Sequence, residues 1–140
     1  MTISTVEVVG AVIIRGDRIL ACRRAPHKSA AGMWEFPGGK VEPTERPEHA
    51  LSRELAEELG VTAHPIRLLH RETTRVADTM IDLACFETVI SAEPIASSDH
   101  DKIRWVPMQE LAQLEWAKPD IPTVELLIAE NLRLQRSSQH

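Results

Sequence analysis

The segment from Pro47 to Gly60 does more than any other to limit what this chain can fold into. Pro47 suits the first turn of a helix, where its missing N–H is not needed, and Gly60 suits the stop. Between them Leu51, Leu55 and Leu59 recur every fourth residue, which predicts a helix with one face on a core. Glu54, Glu57 and Glu58 stand at i, i+3 and i+4. At about 100° per residue they project from one face, beside the leucine stripe. Such a helix needs apolar layers beneath its leucines and something to offset three neighbouring carboxylates.

Like charges at this spacing repel by about a few tenths of a kcal/mol per exposed pair, and by more when partly buried. Two readings follow. The helix presents a solvated acidic face, with Arg53 and Glu57 as an i,i+4 pair. Or the carboxylates surround a hard cation such as Mg2+, which takes oxygen ligands, keeps several waters and is completed by substrate phosphates. Gly38 and Gly39, just upstream, let the backbone approach a ligand closely or adopt positive φ. Lys40 beside them can reach a phosphate oxygen.

The flanking pattern predicts the rest of the architecture. Residues 6–14 are rich in β-branched side chains and read as a strand; 19–23 read as a second, joined to the first as a hairpin. Residues 24–43 carry Pro26, Gly32, Pro37, Gly38, Gly39 and Pro43 and read as a long functional loop. Strands are expected over 66–74 and 79–90, around a turn near Ala77 and Asp78, and again over 103–106. A short helix is expected over 108–114 and a terminal helix over about 122–136, with Val124, Leu127, Ile128, Leu132 and Leu134 on its apolar side. This order points to α/β or α+β, helices packed on a mixed sheet. With 140 residues, 43% of them hydrophobic, the chain fits one domain over 1–140.

Cys22 and Cys85 lie far apart in apolar surroundings and read as buried free thiols. Glu7 breaks the first apolar run, so no secretory signal is expected, and no run of about 18 apolar residues predicts a membrane span. The expected compartment is the cytoplasm. The tail from Ser137 to His140 is short and polar. No feature of the sequence decides between monomer and homodimer.

Gly39, Glu45 and the run Arg53-Glu54-Leu55-Ala56-Glu57-Glu58-Leu59-Gly60-Val61 match every defined position of the Nudix box, here residues 39–61. Trp34-Glu35-Phe36-Pro37-Gly38-Gly39-Lys40 and Cys22-Arg23-Arg24-Ala25 also resemble the MutT-like branch of that family. The resemblance implies an α/β/α sandwich around a central mixed β-sheet, with the box as a loop–helix–loop. It implies Mg2+-dependent hydrolysis, with Mn2+ as a substitute, of nucleoside triphosphates to nucleoside monophosphate and pyrophosphate. Glu54, Glu57, Glu58 and the Gly38 carbonyl would be metal ligands, and Glu54 a general base for the attacking water. Glu45 and Arg53 would orient them through a salt-bridged layer. Gly39 and Lys40 would meet the substrate. A sensing module without catalysis is the rival reading, although such modules generally lose box glutamates and this chain keeps all of them.

Other family signatures narrow the substrate. The chain has no Tyr, which excludes the marker of diadenosine-polyphosphate hydrolases. Val76 stands where many ADP-ribose hydrolases carry proline, and the extended NADH-type motif is missing. A nucleoside triphosphate remains, of the 8-oxo-dGTP or the CTP/dCTP type, with ADP-ribose as the alternative. Asp99 aligns with an acidic residue that MutT-like proteins place near the metal; a polar turn over 97–101 is the plainer reading, and His100 reads as a surface turn residue. Asp120 falls where oxidised-guanine hydrolases carry Asn. It reads either as an acceptor for a base or as the cap of the last helix. Trp34, Phe36 and Trp116 are stacking candidates or core residues, and Arg23 is a phosphate or sugar contact or a strand-end charge.

The formal net charge is -5, from 16 Lys and Arg against 21 Asp and Glu. That disfavours binding to a nucleic-acid polymer, whose phosphates need basic partners. Much of the excess falls inside the box, where Glu42, Glu45, Glu48, Glu54, Glu57 and Glu58 outnumber Lys40, Arg46 and Arg53. The acid is therefore concentrated where a cation would be needed, and a cation lets an acidic protein hold an anionic substrate.

Overall fold

The structure is a computed structural model that describes residues 3–95 and 99–138, the side chains of 134–138 excepted. Leu134 as a packing residue, Ser97 and Ser98 in the polar turn, and the polar tail therefore lie outside the described side chains. Strands β1 (Ser4–Val12), β2 (Ile14–Arg15), β3 (Arg18–Arg24), β4 (Trp34–Glu35) and β5 (Gly38–Lys40) precede helix α1 (Pro47–Leu59). After it come β6 (Ala63–Val76), β7 (Thr79–Ile90), β8 (His100–Pro107) and helix α2 (Ile121–Ser138), with 3-10 turns at Met108–Gln113 and Lys118–Asp120. No helix among the described residues is long and apolar enough to cross a membrane.

One sheet is mixed, in the order β5-β1-β7-β6, with β1 parallel to β7 and the outer pairs antiparallel. Its pleat sends alternate residues to opposite faces. Val9, Ala11, Ala84 and Phe86 pack with Leu51, Leu55 and Leu59 of α1. Val12, Leu83 and Cys85 pack with Trp116, Val124 and Leu127 of the α2 side. Helices thus cover both faces, which gives the expected α/β/α layering. All three α1 leucines are fully buried, so truncating any one to Ala costs about 2–5 kcal/mol. A second, antiparallel sheet joins β2, β3, β4 and β8.

Several elements depart from expectation. The hairpin over 6–14 and 19–23 is confined to β2 and β3, turning at Gly16 with φ 61°. β1 stops at Val12 because the chain crosses between sheets at Ile13, and β1 takes β7 as partner instead. The loop over 24–43 contains β4 and β5, each too short to show a period. β6 begins at Ala63 and tolerates Pro65 because it is an edge strand with bulges on either side of Arg67. The helix expected over 108–114 is a 3-10 turn. Leu132, expected on the apolar side of α2, is 47% exposed. Both cysteines are buried and free as expected, and burial pushes the Cys85 thiol up to about 12.

Candidate active site

The loop ahead of α1 is fixed by contact rather than by unusual torsions. Neither Gly38 nor Gly39 has positive φ, contrary to one use foreseen for them. A Cβ on Gly38 would lie 1.9 Å from the Val9 carbonyl oxygen, so glycine is needed for β5 to close on β1. A Cβ on Gly39 would lie 2.3 Å from Glu54 Cδ. The second glycine makes room for a glutamate of α1, and so links loop to helix.

Arg53 is the hub on one flank of α1. Its Nε and Nη2 donate to Glu45 Oε2 and Oε1, both at 2.9 Å, a two-bond fork. Nη2 also reaches the Lys40 carbonyl at 3.0 Å, and Nη1 donates to Glu54 Oε1 at 3.0 Å. Glu57 Oε2 lies farther, at 3.4 Å, so the simple Arg53–Glu57 pair is the weakest part of the web. Glu45 also accepts the Glu42 N–H at 3.0 Å and meets His49 Nδ1 at 2.8 Å. These bonds, the Arg53 fork first, hold the Glu45 carboxyl down at about 2.

The other flank is less completely matched. Glu58 Oε2 is buried without a hydrogen-bond partner. Burial, then Glu54 and Asp99, push the Glu58 carboxyl up to about 8. Asp99 is hydrogen-bonded to it and is held low by Lys28, whose Nζ lies 3.1 Å from Asp99 Oδ1. Of this pair Glu58 is therefore the weaker acid. α1 has no basic residue in its last turn, so its own dipole adds to the negative potential there. Among the described residues no three His, Cys, Asp or Glu side chains are arranged to hold a metal as they stand. The donor set nevertheless fits a hard cation: oxygen donors, one orphaned and buried, in a field that raises a carboxyl. Glu57 points outward, 62% exposed, and must turn inward to join them.

The remaining sequence candidates divide. The structure brings Asp99 to Glu58, which a polar surface turn does not require. His100, expected at the surface, has a side chain only 2% exposed, and its Nε2 meets Glu35 Oε2 at 2.8 Å. The cause is β8, which begins at His100 and turns the imidazole inward. Glu35 is also gripped by Arg24 Nη1 at 2.9 Å. Arg23 is engaged with Asp101 by two bonds of 2.8 and 2.9 Å, on the exposed side of the sheet. Phe36 and Trp116 pack with centroids 4.9 Å apart, and with Trp34 they lie in the core. Asp120 is 6% exposed, and its Oδ2 accepts the Phe36 N–H at 3.0 Å. That bond crosses to the β4–β5 connection instead of capping α2, and burial pushes the carboxyl up to about 8. No sequence signal pointed to Lys28. Glu35 could have been noticed within the Trp34–Lys40 run.

Residues 5–127 match the NUDIX domain family. A CTP pyrophosphohydrolase of Escherichia coli is 36% identical over 124 residues, covering 89% of this chain and 92% of its own. An 8-oxo-dGTP diphosphatase of Proteus vulgaris is 36% identical over 77 residues, covering 55% of this chain and 69% of its own. The solution structure of the E. coli ORF135 protein superposes with a TM-score of 0.80 at 34% identity, covering 91% of each chain. A match over that much of the sequence, with the carboxylate helix and its glycine loop inside it, makes the chain a member of the Nudix family in its MutT-like branch.

Proposed function

We propose that this chain is a nucleotide-pool pyrophosphohydrolase that uses Mg2+, or Mn2+ in its place, to cut nucleoside triphosphates to nucleoside monophosphate and pyrophosphate. Nudix hydrolases generally need a divalent metal. The observation that carries the reading is the cluster of Glu54, Glu58 and Asp99 around the orphaned, buried Glu58 oxygen. Glu54, Glu57, Glu58 and the Gly38 carbonyl, with Asp99, would hold the ion. When bound it supplies charge neutralisation of the pyrophosphate and acidifies a water. The protein's own part is positioning. Arg53 holds Glu54 by Oε1, which leaves Oε2 to take a proton from the attacking water. Glu45 locks Arg53 in turn, and Lys40 lies beside the loop as a phosphate contact.

Base choice falls to Asp120. Read as ionised, it is an acceptor only. In its buried seat the carboxyl is pushed up to about 8, which favours the protonated form and with it a donor as well as an acceptor. That supports both the 8-oxo-dGTP and the CTP/dCTP readings that the named relatives suggest. The experiment is pyrophosphate release with Mg2+ from 8-oxo-dGTP, CTP, dCTP, 5-methyl-dCTP and ADP-ribose. Turnover of one or more triphosphates is expected. Turnover of ADP-ribose alone, or binding without release, overturns the reading.

A further inference from the structure

The basic residues around the carboxylate cluster differ in what already holds them. Arg53 is bound to Glu45, Glu54 and the Lys40 carbonyl. Arg24 is clamped between Glu35 and Ser29, and Arg23 is forked onto Asp101. Lys28 is different. Its ammonium meets Asp99 at 3.1 Å with its side chain 37% exposed, and Asp99 is the residue hydrogen-bonded to Glu58. This cation therefore stands at the rim of the cluster, with one side toward the carboxylates and one toward solvent.

Its place is built, not incidental. The Lys28 N–H donates to the Ala25 carbonyl at 3.0 Å, which closes a turn, and the Ala25 N–H donates to the Asp99 carbonyl at 3.0 Å. Loop and Asp99 are thus tied through their backbones. Arg24 fastens the next residue, its Nε to the Ser29 carbonyl at 2.6 Å and its Nη2 to Ser29 Oγ at 3.2 Å. Only the Lys28 side chain is left to move, and an ammonium on a flexible stem can change partners where a forked guanidinium cannot.

We propose that Lys28 is a polyphosphate-binding residue, kept beside the carboxylate cluster by Asp99 and transferred to the substrate's phosphates when a divalent cation takes up Asp99's charge. The inference rests on the cation seat described under the proposed function. A divalent ion near Asp99 competes for its oxygens and repels the ammonium, while the entering polyphosphate attracts it. The exchange gives Lys28 and Asp99 each an opposite charge before and after.

The test uses the full chain with Lys28→Met and Lys28→Arg, read three ways: Mn2+ binding alone by electron paramagnetic resonance, nucleotide dissociation constants with Ca2+ by calorimetry, and steady-state kinetics. For Lys28→Met the nucleotide dissociation constant and KM should rise about tenfold or more, the scale of one charge-assisted hydrogen bond, with kcat little changed. Mn2+ alone should bind as well or more tightly, and Lys28→Arg should restore most of the nucleotide affinity. An unchanged nucleotide dissociation constant overturns the proposal and leaves Lys28 as a counter-ion of Asp99. Weakened Mn2+ binding in Lys28→Met also overturns it and makes Lys28 a prop for Asp99. A wild-type protein that binds triphosphates without releasing pyrophosphate overturns the pyrophosphohydrolase reading instead, and Lys28 is still judged by the dissociation constants.

Discussion

The two flanks of α1 carry the same kind of side chain in opposite conditions. On one, Glu45 and Glu54 are matched by Arg53, and Glu45 sits at about 2. On the other, Glu58 is pushed up to about 8 and leaves an oxygen without a partner. Helical spacing makes Glu54 and Glu58 equivalent. The loop glycines, the Asp99 turn and burial make them different. The matched flank is finished by the protein itself, whereas on the other Lys28 reaches only Asp99 and the Glu58 oxygen is left for positive charge from outside.

The largest effects should come from the carboxylates around the cation seat, where the two flanks meet. Glu54→Gln and Glu58→Gln are each expected to lower kcat by about 100-fold or more with the fold intact by circular dichroism. Glu57→Gln should do the same if Glu57 turns inward. A loss of only a few-fold would leave it as the outer partner of Arg53. Next comes the matched flank: Arg53→Lys keeps the charge but loses the fork to Glu45, and activity should fall about 10–100-fold. Wild-type turnover there would mean that the web does not position Glu54.

The paired glycines separate structure from site. Gly38→Ala should lower stability by about 1–3 kcal/mol in chemical denaturation, since its Cβ meets the β1 backbone. Gly39→Ala should stay folded and lose activity, because the atom it meets belongs to Glu54. Equal stability losses in the two variants would erase that distinction. The smallest effect concerns Asp120. Its folded pKa is raised from 3.8 to about 8, so between those values the unfolded chain gives up a proton that the folded chain keeps. Stability should therefore fall as pH rises from about 4 to 8. Glu58 contributes in the same window, so Asp120→Asn should remove part of that slope in thermal melts and also reorder the preferred bases.

The helix and its neighbours were legible because they rest on local regularities. The Leu51, Leu55 and Leu59 period, Pro47 and the Gly60 stop fix α1 almost to the residue, and the apolar run around Cys85 marks β7. What escaped depends on partners distant in sequence. β4 and β5 exist because β3 and β1 lie beside them, and β1 chose β7 over the nearer β3. His100 reads as a polar turn residue until Glu35, far along the chain, gives it a buried partner. The same holds for the site: three glutamates and the Arg53–Glu45 pairing follow from the box, while the place of Lys28 follows from the approach of Asp99 and the raised Glu58 carboxyl from burial first. Asp120 read as acceptor or cap, and burial against Phe36 changed its chemistry.

The contrast between the flanks is tested most directly by Mn2+ titration, followed by electron paramagnetic resonance, of wild type, Glu58→Gln and Glu45→Gln without nucleotide. The account predicts that the wild type takes up the ion, that Glu45→Gln keeps most of that affinity, and that Glu58→Gln loses it. Wild-type affinity in Glu58→Gln would contradict the assignment of the cation seat to the unmatched flank.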